Sequence, residues 1–197
     1  LILSNNGYTV HLDSSLFFGG TFQAEARELF NKSGEAYNSI IQHGFSDING
    51  IAQQKKEAGY NTIALQSFSG FYSSGYHFRK AAGFNSIKDF SFFRQLAPTN
   101  YNNHYISVND EAVLDYGFKQ LSKQNKTFLY ILTINTHLPF HTQTGMSELE
   151  SQYQRIKHQF SFLANLLKKY PINKLVIVGD HPPPFLTEFE RSHYATK

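Results

Sequence analysis

The chain has 197 residues, with 18 Lys and Arg against 15 Asp and Glu, a formal net charge of +3, no Cys, no Trp, 19 Phe and 12 Tyr. That length suits a single domain with a sizeable core, and 41% hydrophobic against 17% charged residues is too apolar for a disordered tail. The missing cysteines exclude disulfide scaffolds, Cys-ligated zinc and thiol nucleophiles, and the basic residues, single or paired as in Lys55-Lys56 and Lys168-Lys169, form no nucleic-acid stripe.

No run approaches the roughly 18 apolar residues of a membrane-spanning helix. Leu1 already reads as part of a structured segment, with no signal peptide before it, which suggests a piece of a longer protein whose membrane parts lie elsewhere. No linker or internal repeat divides the chain, so one domain over 1–197, incomplete at both ends, is expected.

The first informative segment is Phe17-Phe18-Gly19-Gly20-Thr21-Phe22-Gln23-Ala24-Glu25-Ala26-Arg27-Glu28-Leu29-Phe30. Paired glycines permit a tight turn, and strong helix formers follow, so Thr21 is expected at the N-cap, with Ala24 at the capping-box position. Thr21 either caps the helix only, or presents its hydroxyl beside free N–H groups and the positive dipole end, where an alkoxide and a phosphate are favoured. A threonine hydroxyl is a weak nucleophile at neutral pH and needs a general base or a metal.

Residues 48–58 read as a helix stopped at Gly59, and 61–66 (NTIALQ) as a strand. Residues 68–103 are aromatic and glycine-rich without a clean period, consistent with loops and short helices over one end of a sheet. Helical spacing of Ala112, Val113, Tyr116, Phe118 and Leu121 predicts a helix over 110–123, followed by a strand at 127–133 (TFLYILT). A third unit pairs a helix over 149–170, carrying Tyr153, Ile156, Phe160, Leu163, Leu166 and Leu167, with a continuous apolar strand at 174–178 (KLVIV) after Pro171. Helix-then-strand units in series predict an α/β fold with a mostly parallel central sheet and helices on both faces.

Ligands of such sheets gather beyond the carboxyl ends of the strands. There, 174–178 runs into Gly179-Asp180-His181-Pro182-Pro183-Pro184, whose carboxylate and imidazole suit Zn²⁺ or Mn²⁺ unless Asp180 merely caps a turn and His181 is a surface residue. The strand at 127–133 leads to His137, a metal ligand, an anion-binding residue or a polar loop residue on the same sheet edge. His141 follows beyond Pro139 without helical ligand geometry and is left without a direct role.

Gly20-Thr21 leading a helix with Glu25 and Arg27, then Thr133-Ile134-Asn135-Thr136-His137-Leu138-Pro139, then Val178-Gly179-Asp180-His181-Pro182 resemble, in this order, the sulfatase-like branch of the alkaline phosphatase superfamily. More narrowly they resemble the extracytoplasmic domains of lipoteichoic acid synthase-type phosphoglycerol transferases and of phosphoethanolamine transferases. Gly83-Phe84 and Val108-Asn109-Asp110-Glu111 extend the resemblance along the chain.

The resemblance implies an alkaline phosphatase-like fold in which Thr21 is the nucleophile and a metal ligand, Asp180 and His181 are metal ligands, and His137 binds the phosphate or the departing alcohol. It implies a divalent metal, Mn²⁺ or Zn²⁺ with Mg²⁺ as a further option. The implied partners are an anionic lipid or lipid-linked head-group donor and a glycan or lipid acceptor, at the extracytoplasmic face of a bacterial cytoplasmic membrane. The family's acidic ligand after its first strand has no match, since Asp13 lies too close to Thr21, so that strand and ligand are expected upstream of Leu1. Where relatives carry a phosphate-anchoring arginine ahead of the Gly-Phe pair, this sequence has Gly75, beside Ser73 and Ser74. Arg79 is then either a displaced substrate-binding residue or a surface arginine packed on Phe78 or Tyr76. His193 follows His181 where relatives have a further active-site histidine, and is a candidate for substrate binding.

The reading that follows is a metal-dependent transferase moving phosphoglycerol or phosphoethanolamine through a Thr-linked intermediate. The alternatives are a phosphatase, phosphodiesterase or sulfuric ester hydrolase of the same superfamily, and a binding domain that has lost the chemistry. Formylglycine sulfatase chemistry is disfavoured, because no Cys exists and no Ser stands in a Cys/Ser-x-Pro-x-Arg stretch.

Overall fold

The computed structural model describes residues 3–4, 8–11, 20–33, 36–43, 49–71, 75–97, 99–102, 105–137 and 145–179. In chain order the elements are α1 (Thr21–Phe30), α2 (Ala36–His43), α3 (Ile51–Glu57), β1 (Asn61–Gln66), α4 (Gly75–Ala82), β2 (Ser86–Lys88), α5 (Phe90–Phe93), β3 (Thr99–Asn102), β4 (Tyr105–Val108), α6 (Asp110–Lys123), β5 (Thr127–Leu132) and α7 (Glu148–Lys169).

The helices begin and end where side-chain chemistry permits. Asn109 caps α6, Ser147 and Glu150 form a capping box on α7, and Gly59, at φ 82°, turns the chain from α3 into β1. Both long helices therefore match the spans predicted from periodicity to within a residue or two.

The main sheet has the order β2-β1-β5 and is parallel throughout, with Asn61 opposite Thr127, Gln66 opposite Leu132 and Ile63 opposite Ser86. Its side chains divide by parity. Ala64, Phe128 and Tyr130 face a cluster with Ala26, Leu29, Phe30, Ala52, Phe78, Ala82 and Phe84, drawn from α1, α3, α4 and the α4–β2 connection. Ile63, Leu65, Leu129 and Ile131 face the other way, onto Phe93, Val108, Val113 and Tyr116. Both faces are covered by helices, which is why the strands are apolar on successive residues rather than on alternate ones. Aromatic edges lock the first face: Phe30 meets Phe78 at 4.7 Å and 78°, and Phe84 stacks on Phe128 at 5.9 Å. A third cluster, Leu114, Phe118, Leu166 and Leu167, joins α6 to α7.

Two expectations need correction. Residues 68–103 hold more than loops and short helices: β2 adds a strand to the sheet, and β3 pairs antiparallel with β4, which extends to Val108. The predicted strand at 174–178 joins no ladder among the described residues, and Val176, Ile177 and Val178 are 69%, 47% and 49% exposed. The described sheet ends at β5, whose outer edge pairs with no described strand, so the composition of 174–178 alone does not make it one.

The α4–β2 corner depends on Gly83. Its φ is 100°, and a Cβ there would lie 2.5 Å from the backbone nitrogen of Gln53 and 2.6 Å from its Cα, in α3. Gly59 has a similar φ of 82° with nothing within 4 Å of a built Cβ. Gly83→Ala should therefore lose about 2 to 4 kcal/mol, from strain plus overpacking, and Gly59→Ala about 1 to 2 kcal/mol from strain alone. Denaturant unfolding of the two variants checks this; equal losses would contradict the close α3–α4 approach.

Candidate active site

Thr21 is half-buried and is the first residue of α1 rather than its cap. Gly20 occupies the N-cap position in an extended conformation, and Gln23 reaches back so that its Oε1 accepts from the Gly20 N–H at 2.9 Å. The expected N-cap role of Thr21 and the capping-box position at Ala24 thus shift by one residue. A glycine cap brings no side chain of its own to the orphan N–H groups, and the Thr21 hydroxyl lies in the turn where the helix dipole is most positive.

One turn further, Glu25 is 1% exposed and pairs with Arg79, also 1% exposed, Nη2 to Oε1 at 2.7 Å. Arg79 Nη1 also donates to Oε1 of Gln66, the last residue of β1. The first turns of α1 are thereby tied to the carboxyl end of β1. The Tyr130 hydroxyl, on β5, lies 3.2 Å from Glu25 Oε1 and 3.3 Å from Glu28 Oε2. Burial, and then the charges of Glu25 and Glu28, push the Tyr130 hydroxyl well above its ordinary range, so it stays a donor.

These contacts correct the picture of Arg79 as a surface residue: it is buried, with its guanidinium turned onto Glu25 and Gln66. Gly75 leaves room for this arrangement, since a Cβ there would lie 2.9 Å from Arg79 Nη1. The sequence held the relevant signal in the oppositely charged Glu25 and Arg79, but their separation along the chain hid the pairing.

His137 is half-buried and closes a turn just beyond β5, its N–H donating to the Ile134 carbonyl at 2.8 Å. Beneath this turn lies Asp110, fully buried. Its carboxylate accepts from Ser67 Oγ at 2.6 Å, from the Asn135 N–H at 2.7 Å, from the Ile134 N–H at 3.0 Å and from Gln159 Nε2 at 2.8 Å. Burial raises the Asp110 carboxyl above the usual carboxylate range, against the pull of these donors.

Because β1 and β5 are parallel and in register, the α1 start held at Gln66 and the His137 turn after Leu132 belong to the same edge of the sheet. The structure places Thr21 and His137 on that edge and turns Arg79 inward. Asp180, His181 and His193 lie outside the described residues. Among the described residues no group of three or more His, Asp or Glu side chains could hold a metal ion, so of the assigned ligands the described site shows only Thr21. No described helix is long and apolar enough to cross a membrane.

Matched against protein-family models, the sequence fits the one described as Sulfatase over residues 19–184. The chain belongs to the sulfatase family. Its fold is similar to that of the lipoteichoic acid synthase LtaP from Listeria monocytogenes, with a TM-score of 0.64 and 16% identity over 78% of this chain and 40% of that one. A protein in the alkaline phosphatase superfamily from Vibrio parahaemolyticus gives a TM-score of 0.47 and 22% identity, over 61% of this chain and 31% of that one. No curated protein matches the chain. The chain thus spans well under half the length of either solved structure, and the LtaP likeness agrees with the parallel sheet flanked by helices.

The buried pair can be tested by stability. Arg79→Met alone strands the Glu25 carboxylate and should cost about 3 to 5 kcal/mol, whereas adding Glu25→Leu should recover most of that loss. Denaturant midpoints of wild type, single and double variants check it; a single variant near wild type would show that the pair does not anchor α1.

Proposed function

We propose that the chain is the catalytic region of a metal-dependent transferase that moves a phospho-head group, phosphoglycerol or phosphoethanolamine, from a lipid donor to a cell-envelope glycan or lipid. The observation that carries the proposal is the attachment of the α1 start to the same sheet edge as the His137 turn, within a sulfatase-family chain. Membership of that family, whose relatives use divalent metals, and the fold shared with LtaP support an enzyme of this superfamily.

In the first half-reaction the Thr21 oxygen attacks the donor phosphorus, the bond to the diacylglycerol oxygen breaks, and that alcohol departs with a proton. In the second, an acceptor hydroxyl loses its proton and attacks the same phosphorus, the bond from phosphorus to the Thr21 oxygen breaks, and that oxygen takes up a proton to restore the hydroxyl. The N-terminal dipole of α1 stabilises negative charge on the phosphoryl oxygens throughout. His137 binds a phosphoryl oxygen or the departing alcohol, and His193 is assigned to substrate as well. Asp180 and His181 are assigned as ligands, with Thr21, of Mn²⁺, Zn²⁺ or Mg²⁺, which would lower the hydroxyl's pKa and offset phosphoryl charge when bound. Arg79 is assigned to holding α1 rather than to substrate. The parent protein is proposed to act at the outer face of a bacterial cytoplasmic membrane, anchored there by parts outside this chain.

Incubating the full-length protein with phosphatidylglycerol or phosphatidylethanolamine and Mn²⁺ should leave a head-group adduct on the Thr21 peptide, read by mass spectrometry. Thr21→Ala should abolish the adduct and lower turnover by about 10³-fold or more, as expected when a covalent nucleophile is removed. Turnover undiminished in Thr21→Ala would overturn the assignment, and release of free head group without acceptor modification would make the enzyme a hydrolase.

A further inference from the structure

We infer that Asp110 is the positioning residue for His137, acting through the backbone of the turn that carries it. The inference rests on the substrate role given to His137 above. Asp110 stands at the first position of α6, yet Asn109 takes over capping, its Oδ1 accepting from the Glu111 N–H. The Asp110 carboxylate is committed elsewhere: it receives the Ile134 and Asn135 N–H groups, the first backbone donors of the turn, and binds Ser67 just beyond β1 and Gln159 on α7.

The turn is held from its other sides by weaker, more exposed contacts. Asn135 Nδ2 donates to Asn109 Oδ1 at 2.8 Å, Arg155 Nη1 to the Asn135 carbonyl at 3.2 Å, and Gln152 Nε2 to the Thr136 carbonyl at 3.4 Å. Asp110 alone among the residues holding the turn is fully buried and reaches the residue after β1, the β5 turn and α7 at once. A carboxylate surrounded by donors behaves as a rigid node, because rotating it away would leave the buried Ile134 N–H and Ser67 hydroxyl, and the half-buried Asn135 N–H, without this acceptor. The imidazole of His137 thus takes its place relative to the α1 start from a group that never touches substrate.

The test is a double-mutant cycle in the full-length protein, with Asp110→Asn, His137→Ala and their combination assayed for lipid head-group release. Asp110→Asn keeps the shape but turns a donor toward the turn's N–H groups. It should lower kcat about 10-fold with KM nearly unchanged, and the combined variant should be no worse than His137→Ala alone, the signature of residues acting as a unit. Losses that multiply fully would overturn the inference. Gln159→Leu, which removes a single donor to the same carboxylate, goes through the same cycle if Asp110→Asn does not fold, with the same non-additivity expected and full multiplication again overturning it.

Hydrogen exchange separates this inference from the reading of function. Even if wild type releases no head group and Thr21 stays unmodified, which would defeat the proposed function, the amides of 134–137 should exchange about 10-fold faster in the variant while those of β1 keep their protection. Uniform acceleration across the chain would reduce Asp110 to a general stabiliser and overturn the inference.

Discussion

Arg79 carries its charge into the interior, where the guanidinium cannot shed its proton and each N–H needs an acceptor. Glu25 and Gln66 accept from its two terminal nitrogens, while Nε has no partner among the described residues, and these two bonds fix where α1 starts relative to the sheet. Buried ion pairs are poor sources of net stability, because desolvation of both charges offsets most of their attraction. Their strength is in discrimination: a sliding or rotating α1 would leave a buried charge uncompensated, so competing placements are strongly disfavoured. Apolar contacts such as Leu29 and Phe30 on Phe78 hold the helix down, and the ion pair decides where along the sheet it is held.

The same division of labour appears on the other side of the sheet's carboxyl edge. Val108, Val113 and Leu114 bury the α6 face, while Asp110 at its first turn ties the loops after β1 and β5 together. Apolar surface supplies magnitude and is non-directional, whereas hydrogen bonds to a buried carboxylate depend on both distance and angle. Positional accuracy at this edge therefore comes from two buried acids, Glu25 in the second turn of α1 and Asp110 at the start of α6.

Much of this architecture was legible in the sequence, and the reasons differ by element. α6 and α7 announce themselves through apolar spacing together with Asn109, Ser147 and Glu150, because capping and amphipathicity are local properties. β1 and β5 are readable as short apolar runs because both faces of a parallel sheet are covered. β2 is only Ser86–Lys88, and the β3 sequence TNYN is polar, so neither carries a pattern that marks a strand in isolation. Residues 174–178 have the right composition for a strand, yet pairing is a property of the neighbour as much as of the segment. Thr21 and His137 were singled out from motif and strand-end position, and both lie at the carboxyl edge of the sheet, while the N-cap shifted to Gly20 because glycine accepts that position without a side-chain bond. The burial of Arg79 was not legible, since its partner is remote in sequence and its surroundings suggested a surface helix.

The register of the sheet also orders the events of folding. β1 meets β2 after a short excursion through α4, but its other edge, Asn61 to Gln66, is satisfied only by Thr127 to Leu132. During synthesis one edge of this apolar strand must wait until α5, the β3–β4 hairpin and α6 have all been made. Contacts so distant in sequence form slowly, since the loop between them must be closed before any pairing rewards it. Until Thr127 to Leu132 is made, that edge of β1 has no partner in the described sheet.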